Sequence, residues 1–494
     1  MIVFFFLFFF FLQPSSYAEG ELKPLRCIIH LHSDWSFLSE SNSLETLAEW
    51  GKASGVDVLI FTDHALVRAS WGLFPFRRTL HYTEDKASVF KKGTERYLLE
   101  IHQLQEKYPS LLLIPALEVA PFYYWSGNPF QGTLTLREWH RHLLVLGIED
   151  PEVLKKMPLL SNPYAHPFTF LGNRLFFLCP SVICFVLFGY LRKRSFYRDE
   201  QGRSLRYTSK SLRWVEYSFF LVAVLFLIES VPFGDPFDPY HGDRGAAPYQ
   251  KLIDYVNAHG GFVFWAHPEV EPASSDSVSK GIRIVTEPYG YLLSLTRDYT
   301  GFAAYATGKG LIQKGGDWDQ LLMMVCQKIR KSPIWVMSET DFIGGFESFR
   351  LNETVVWVEE RSKTGVLKSL REGRMCAVMN TRNEHLSLDF FSVTNEEGKK
   401  GGLGEEISSQ GKVRVAWRFR VSQPTYTPWV TLIRSGKPLG TFPVKDGEEA
   451  FFDDTLEDPK PEKIYYRLEV EEPPFLTNPI FVSLVPRNLL SEKQ

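Results

Sequence analysis

The chain has 494 residues, a formal net charge of −3 and 23% charged residues, which suits more than one folded domain and offers nothing to attract nucleic acid. Five cysteines, two of them (Cys179, Cys184) inside an apolar run, exclude a disulfide or Cys-rich zinc framework. Forty phenylalanines are more than an ordinary soluble protein carries, and many crowd into three apolar segments.

The first of these, Ile2–Leu12, is too short to span a bilayer comfortably and suits the core of an export signal, with a small-residue cleavage point at Ala18. Residues 1–18 therefore read as a signal peptide. "CIIHLHSDWS" follows, an apolar strand ending in His30 and His32. Residues two apart on a strand share a face, so the two imidazoles are presented together. "SLETLAEWGKASG" has helical spacing with a cap at Asn42 or Ser43 and a stop at Gly55. "VDVLIFTDH" reads as a buried strand ending at Asp63 and His64, and "TERYLLEIHQLQEKYPS" as an amphipathic helix. "LLLIPALEV" is a strand carrying Glu118 near its end, and "HLLVLG" a strand that begins at His142.

Next come two apolar runs, Leu175–Leu191 and Tyr217–Ile228, separated by a loop with eight Lys or Arg against one Asp and one Glu. Basic loops stay on the cytoplasmic side of a membrane, so residues 166–235 read as a transmembrane hairpin, its loop inside and the rest of the chain extracytoplasmic. Beyond it, "APYQKLIDYVNAHGG" is a helix, "FVFWAHPE" a strand ending at His267, "DWDQLLMMVCQKIRKS" a helix, and "PIWVMSETD" a strand ending at Asp341. This alternation of strand and helix predicts a mainly parallel α/β sheet or barrel in two parts, 19–165 and 236–384. From His385 to Gln494 the texture changes to short alternating strands, which predict an all-β, sandwich-like domain.

Apart from His142, each of these histidines and acids falls at the carboxyl end of a predicted strand, the rim where β/α barrels gather their chemistry. Bringing so many imidazoles and carboxylates together is costly unless divalent cations hold them, and the donor set suits zinc, manganese or iron. The expected metal ligands are His30, His32, His64, Glu118, His142, His267 and Asp341.

The motifs "HLHS", "FTDH", "PALEV", "HLLVLG", "GGFVFWAHPE" and "SETD", in this order, resemble the PHP (polymerase and histidinol phosphatase) superfamily. "YYRLEVE" and "FLTNPIFV" near the end look like its carbaryl-hydrolase-type, CehA/McbA-like branch. The resemblance implies a distorted (β/α)7 barrel, interrupted here by the hairpin, and a metal-dependent hydrolase, a phosphoesterase first and a carboxylic or carbamate ester hydrolase second. It implies two divalent ions, with a third left open. His30, His32 and Asp341, with Glu118, would hold one ion. Glu118 would bridge to another held by His142 and His267, with His64 nearby. Metal-activated water would attack, Asp63 would orient a histidine ring, and His64 or His267 would protonate the leaving group. Glu287, His241 and Arg244 are candidate substrate contacts, and the substrate is expected to be a small molecule or an envelope component.

The chain departs from the pattern at Phe37, where an acid is usual, and at Ile343, where a histidine is usual. Both departures keep open a second reading, an envelope scaffold that has lost its catalysis. Of the other histidines, His102 and His259 fall on helices and His166 in a linker, while His140 competes with His142 for the start of its strand.

Overall fold

A computed structural model of the chain describes residues 22–37, 42–165, 176–194, 196–206, 209–231, 234–235, 237–270, 277–279, 281–305, 308–342, 344–380, 385–422, 427–456 and 462–485. The expected signal peptide, His166 and Ile343 lie outside them.

Runs of fully buried apolar residues form the strands β1 (Lys23–Leu31), β2 (Val58–Phe61), β3 (Leu112–Val119), β4 (Leu143–Leu146), β5 (Phe262–Trp265), β6 (Gly301–Ala304) and β7 (Trp335–Ser338), in chain order along one sheet. β1, β2 and β3 are parallel, as are β5, β6 and β7, but β4 runs antiparallel to both of its neighbours. The segment after β7 then meets the end of β1. Thr340 N–H donates to Ile29 O at 3.0 Å, Phe342 N–H to His30 O at 2.9 Å, and His32 N–H to Phe342 O at 3.3 Å. These bonds close the seven-strand run into a ring at the carboxyl rim.

Helices cover the outside of the run. In α1 (Leu44–Ser54) the Ser43 hydroxyl accepts the Thr46 N–H and Gly55 ends the helix at φ 65°, a conformation that favours glycine. α2 (Thr94–Lys107) lies against β3 through Tyr97, Leu98, Ile101 and Leu104. Long insertions build extra structure above the rim: a hairpin of Arg68–Gly72 with His81–Asp85, and a four-stranded sheet of Tyr124–Ser126, Thr135–Arg137, Ser277–Ser279 and Ile282–Val285.

The apolar runs between β4 and β5 form two helices, α3 (Leu178–Arg194) and α4 (Lys210–Glu229), joined by the small hairpin Phe196–Arg198 and Ser204–Arg206. They pack antiparallel, with Phe185 and Phe188 against Phe220, Phe177 against Phe226, and Ser181 Oγ donating to Ala223 O at 2.8 Å. Among the described residues only α4 is long and apolar enough to cross a membrane, whereas α3 has 17 residues. The pair of spans expected from sequence thus reduces to one helix that meets the criterion and a shorter partner.

The all-β part is less separate than its texture suggests. The main sheet continues from β1 through β8 (Asn352–Val358) and β9 (Met375–Met379) into β15 (Phe475–Thr477), β14 (Lys463–Val470) and β12 (Trp429–Arg434). A second sheet, built on β10 (His385–Asn395), β11 (Lys412–Ser422) and β13 (Glu449–Thr455), packs on this extension. Their shared core joins Trp357, Cys376 and Val378 to Phe391, Trp417, Phe419 and Val430. One layer of the sandwich therefore begins before residue 385.

The free edge of β7 is satisfied by side chains. Thr354 Oγ1 accepts Ser338 N–H at 2.9 Å and donates to Ser338 O at 2.7 Å. The amide of Asn478, 1% exposed, accepts Val336 N–H at 2.8 Å and donates to Val336 O at 2.9 Å and Met375 O at 3.1 Å. Buried backbone groups without partners are expensive. Asn478→Ala is therefore expected to lower stability by about 2–4 kcal/mol, read as an earlier urea midpoint. An unchanged midpoint would contradict this role.

Candidate metal centre

Glu118 is the penultimate residue of β3, its side chain fully buried and its two oxygens facing different sets of imidazoles. Oε1 lies 3.1 Å from His30 Nε2, 2.5 Å from His142 Nδ1 and 3.2 Å from His267 Nε2. Oε2 lies 3.3 Å from His32 Nε2 and 3.0 Å from His64 Nε2. Asp341 Oδ1 completes the group, 3.7 Å from His30 Nε2 and 3.5 Å from His32 Nε2, on a half-exposed side chain that faces the opening. All seven residues expected as ligands thus come together.

How they arrive is only partly what periodicity implies. The β1 to β2 register shifts between Ile29 and Leu31, and His30 itself has φ 72°. A bulge rather than a regular pleat sets His30 beside His32, with ring centroids 5.0 Å apart. His267 and Asp341 also have positive φ, 26° and 45°. Such backbone costs about 1–3 kcal/mol per residue and collects at functional sites. His142 opens a strand instead of ending one, and the reversal of β4 is why that start lies on the same rim as the other strands' ends.

A second tier of residues aims the ligands, and most of it was not singled out from sequence. Glu339 is fully buried. Its Oε2 lies 2.7 Å from His30 Nδ1, and Oε1 accepts the backbone N–H of His267. The Tyr289 hydroxyl donates to Ala266 O at 2.6 Å and lies 3.0 Å from His267 Nδ1. Partners of this kind fix ring orientation and leave the other ring nitrogen for a metal. Asp63 touches no imidazole directly. It accepts Ser33 N–H, Ser33 Oγ–H and Ser36 Oγ–H, each at 2.7 Å. Ser36 Oγ in turn accepts His64 N–H at 2.9 Å and lies 3.4 Å from His32 Nδ1 and 3.3 Å from His64 Nδ1. Asp63 therefore acts on the histidines through Ser36, correcting the direct contact expected.

Among the described residues, none of the three expected substrate contacts bonds a residue of the cluster. Glu287 is exposed, and its backbone N–H donates to Glu138. His241 is exposed and bonds Asp238 at 2.7 Å, and Arg244 Nε donates to Asp238 O. His241 lines a separate cavity of about 590 Å³ near the ends of α3 and α4. The residue beside His142 that holds charge is Arg141, buried and paired with Glu138 and Asp243 at 2.7 and 2.9 Å. The ring of Phe37 lies 5.7 Å from that of His64, and His140 stands 5.7 Å from His142, outside the ring of donors.

Within the cluster, buried acids and imidazoles act on one another. Burial works against charge on His30, yet Glu118, Glu339 and Asp341 outweigh it and hold its pKa well above the usual histidine value. Burial likewise opposes charge on His32, but the neighbouring carboxylates of Asp341 and Glu118 push it up to about 9. Against the upward pull of burial, His142, His30 and His64 hold Glu118 well below the usual carboxylate range; His30, His32 and His267 do the same for Asp341. His64 and His140 shift the other way, driven first by burial, His140 to about 3.

A divalent cation suits this donor set better than protons do. His30 Nε2, His32 Nε2, Glu118 Oε2 and His142 Nε2 are buried with no hydrogen-bond partner of acceptable geometry. Three overlapping triads, His30–His32–Asp341, His30–Glu118–His267 and His32–His64–Glu118, each bring their donor atoms within 4.8 Å of one another. Buried polar atoms left unpaired yet convergent on common points are what metal coordination resolves.

No family model matches the sequence, and neither does any curated protein. Among solved structures, a two-domain protein from Bacteroides vulgatus containing a predicted PHP-like metal-dependent phosphoesterase is similar at 11% identity and a TM-score of 0.36, over 94% of this chain and 96% of that one. An amidohydrolase from Chromobacterium violaceum, with bound sulfate and no metal, is similar at 13% identity and a TM-score of 0.22, over 64% of this chain and 87% of that one. Likenesses this distant carry no argument about chemistry, which rests on the cluster itself.

A protonated imidazole cannot ligate, so a metal must displace the protons on His30 and His32. Metal binding is expected to release protons and to tighten as pH rises from 7 toward 9, where His32 loses its proton. Calorimetry with Mn²⁺ in buffers of different ionisation enthalpy measures both. Affinity that is flat or falls over this range would contradict the assignment.

Proposed function

We propose that the chain is a metal-dependent hydrolase of the PHP type that cleaves an ester, a phosphoester foremost. The observation that carries the reading is Glu118, a buried carboxylate set between two groups of imidazole nitrogens at 2.5–3.3 Å, of which those of His30 and His32 have no hydrogen-bond partner. His30, His32 and Asp341 would hold one cation. Glu118 would be shared with a second, supported by His142, His267 and His64. Bound there, divalent cations acidify water and draw charge from the scissile group's oxygen.

The chain's own groups supply position and proton traffic. His30 and His32 are wholly buried and serve as fixed donors, locked by Glu339 and Ser36. His64, His142 and His267 keep a little exposure toward the opening, together with half-exposed Asp341, so the substrate enters on their side. In the hydrolysis, the water oxygen bonds to phosphorus as the ester P–O bond breaks. The water's proton passes to whichever of His64 and His267 is not holding a cation, and that imidazole returns a proton to the leaving oxygen. Assignment to the carbaryl-hydrolase-type branch rests on the C-terminal sequence alone.

We read the protein as attached to a membrane by α4 and its partner α3, with the site outside the cytoplasm. Both helices expose large apolar side chains, among them Val182, Ile183, Val186, Trp214, Phe220 and Leu221. Their inner ends adjoin the globular body: the ring of Phe76 lies 4.9 Å from that of Phe226, and Arg78 N–H donates to Glu229 at 2.8 Å. The basic loop lies at the other end, as a body outside and a loop inside require.

With added Mn²⁺, Zn²⁺ or Fe²⁺, the full chain is expected to hydrolyse at least one member of a panel of phosphomonoesters, phosphodiesters and carboxylic esters. Glu118→Gln and His32→Ala are expected to lower that rate by at least about 10³-fold. Metal-independent turnover, or turnover that survives both changes, would contradict the proposal. No turnover and no retained metal would favour the scaffold reading. For attachment, replacing residues 174–231 with a short linker is expected to move the protein from the membrane to the soluble fraction. Persistence in the membrane would contradict that role for the helices.

A further inference from the structure

The hydrolase reading leaves open what the substrate carries beyond its reacting bond. A second cavity, of about 200 Å³, opens beside the cluster. Its walls are mainly apolar and aromatic, with Trp71, Trp125 and Trp139 set among Phe37, Ile282 and Ile284. These side chains come chiefly from the hairpin and the small sheet above the rim, so the ring of metal donors does not require them. Two lining residues nevertheless touch the donors. The His140 ring lies 5.7 Å from that of His142, and the Phe37 ring 5.7 Å from that of His64. The cavity therefore abuts the Glu118 cluster, with the rings of Phe37 and His140 on the wall they share.

We propose, on the basis of the hydrolase reading, that this cavity takes the non-reacting arm of the ester and that the arm is a single aromatic ring. Size limits the choice, since an apolar cavity of about 150 Å³ already accommodates benzene. About 200 Å³ matches one substituted ring. Shape and chemistry agree, because indole faces and edges offer the offset and edge-to-face contacts that another ring prefers over a flexible alkyl group. The charged groups leave the apolar walls clear. Tyr82 hydroxyl donates to Glu84 at 2.6 Å, and Lys86 Nζ lies 4.5 Å from the Phe37 ring centroid.

The test compares benzyl, methyl and octyl phosphate with the full chain in detergent and Mn²⁺, since these leaving alcohols are of similar acidity and differ mainly in the arm. kcat/KM for the benzyl ester is expected to exceed both others by about tenfold or more. Ala69→Phe, which fills the cavity, and Trp139→Ala, which opens it, are each expected to pull the benzyl-to-methyl ratio toward one. Hydrolysis of all three esters at equal kcat/KM would overturn the pocket and leave the hydrolase reading standing. If none is hydrolysed, benzylphosphonate decides through tryptophan fluorescence. Quenching that methylphosphonate does not produce and that Ala69→Phe abolishes supports the pocket apart from the chemistry. No quenching at millimolar concentration overturns it.

Discussion

The structure is organised around one electrostatic constraint: a fully buried carboxylate, Glu118, that five imidazoles surround at 2.5–3.3 Å. Removing such charges from water costs several kcal/mol each unless they are compensated, and a hydrophobic replacement would be cheaper for folding alone. The fold retains the charges and bends to reach them. β1 bulges at His30, β4 runs against its neighbours so that His142 lies on the same rim, and His30, His267 and Asp341 adopt left-handed backbone. Strain and buried charge concentrated at one point are what a binding centre leaves behind.

Around this point the supporting groups form a connected layer. Glu339 ties His30 to the backbone of His267, Tyr289 ties His267 to β5's end, and Asp63 with Ser33 and Ser36 ties His32 to His64. β7 delivers both Glu339 and Asp341, and its outer edge is held by Thr354 and by Asn478 from the C-terminal strands. The all-β region is thus a structural neighbour of the site. The buried Arg467–Asp319 pair, at 2.7 Å, joins the same two regions again.

Much of this was legible in the sequence because most of the clustered residues fall at strand ends, which hydrophobic periodicity marks well. His30, His32, His64, Glu118, His267 and Asp341 could each be placed from the apolar run before it. The layer behind them was not legible. Glu339 sits in the same "SETD" motif as Asp341, and the two-residue spacing that links His30 to His32 was the available signal for it. Tyr289 lies in a turn with no periodicity, so nothing local distinguishes it from a packing tyrosine. Asp63 falls two residues past β2 and not on it, and it was given the wrong partner because sequence order does not reveal that Ser36 stands between it and the rings. His241 and Arg244 stood out on one loop and Glu287 after a strand, and they bond Asp238 and Glu138 because loop direction is set by tertiary packing. The extent of the sandwich was misjudged for a similar reason: β8 and β9 alternate too little in hydrophobicity to announce that they belong to two cores at once.

The insertions above the rim and the two helices between β4 and β5 are additions to a ring that would close without them. They add an aromatic cavity whose lining includes Phe37 and His140, next to the cluster, and an apolar helix pair between β4 and β5. The account stands or falls on the metals themselves. The direct measurement is anomalous X-ray diffraction from crystals of the full chain grown with Mn²⁺ or Zn²⁺. Two peaks are predicted, one bonded to His30, His32 and Asp341 and one sharing Glu118 with the opposite imidazoles, each at about 2.0–2.2 Å from its ligands. A map without anomalous density between these side chains, with the imidazoles hydrogen-bonded to the acids instead, would contradict it.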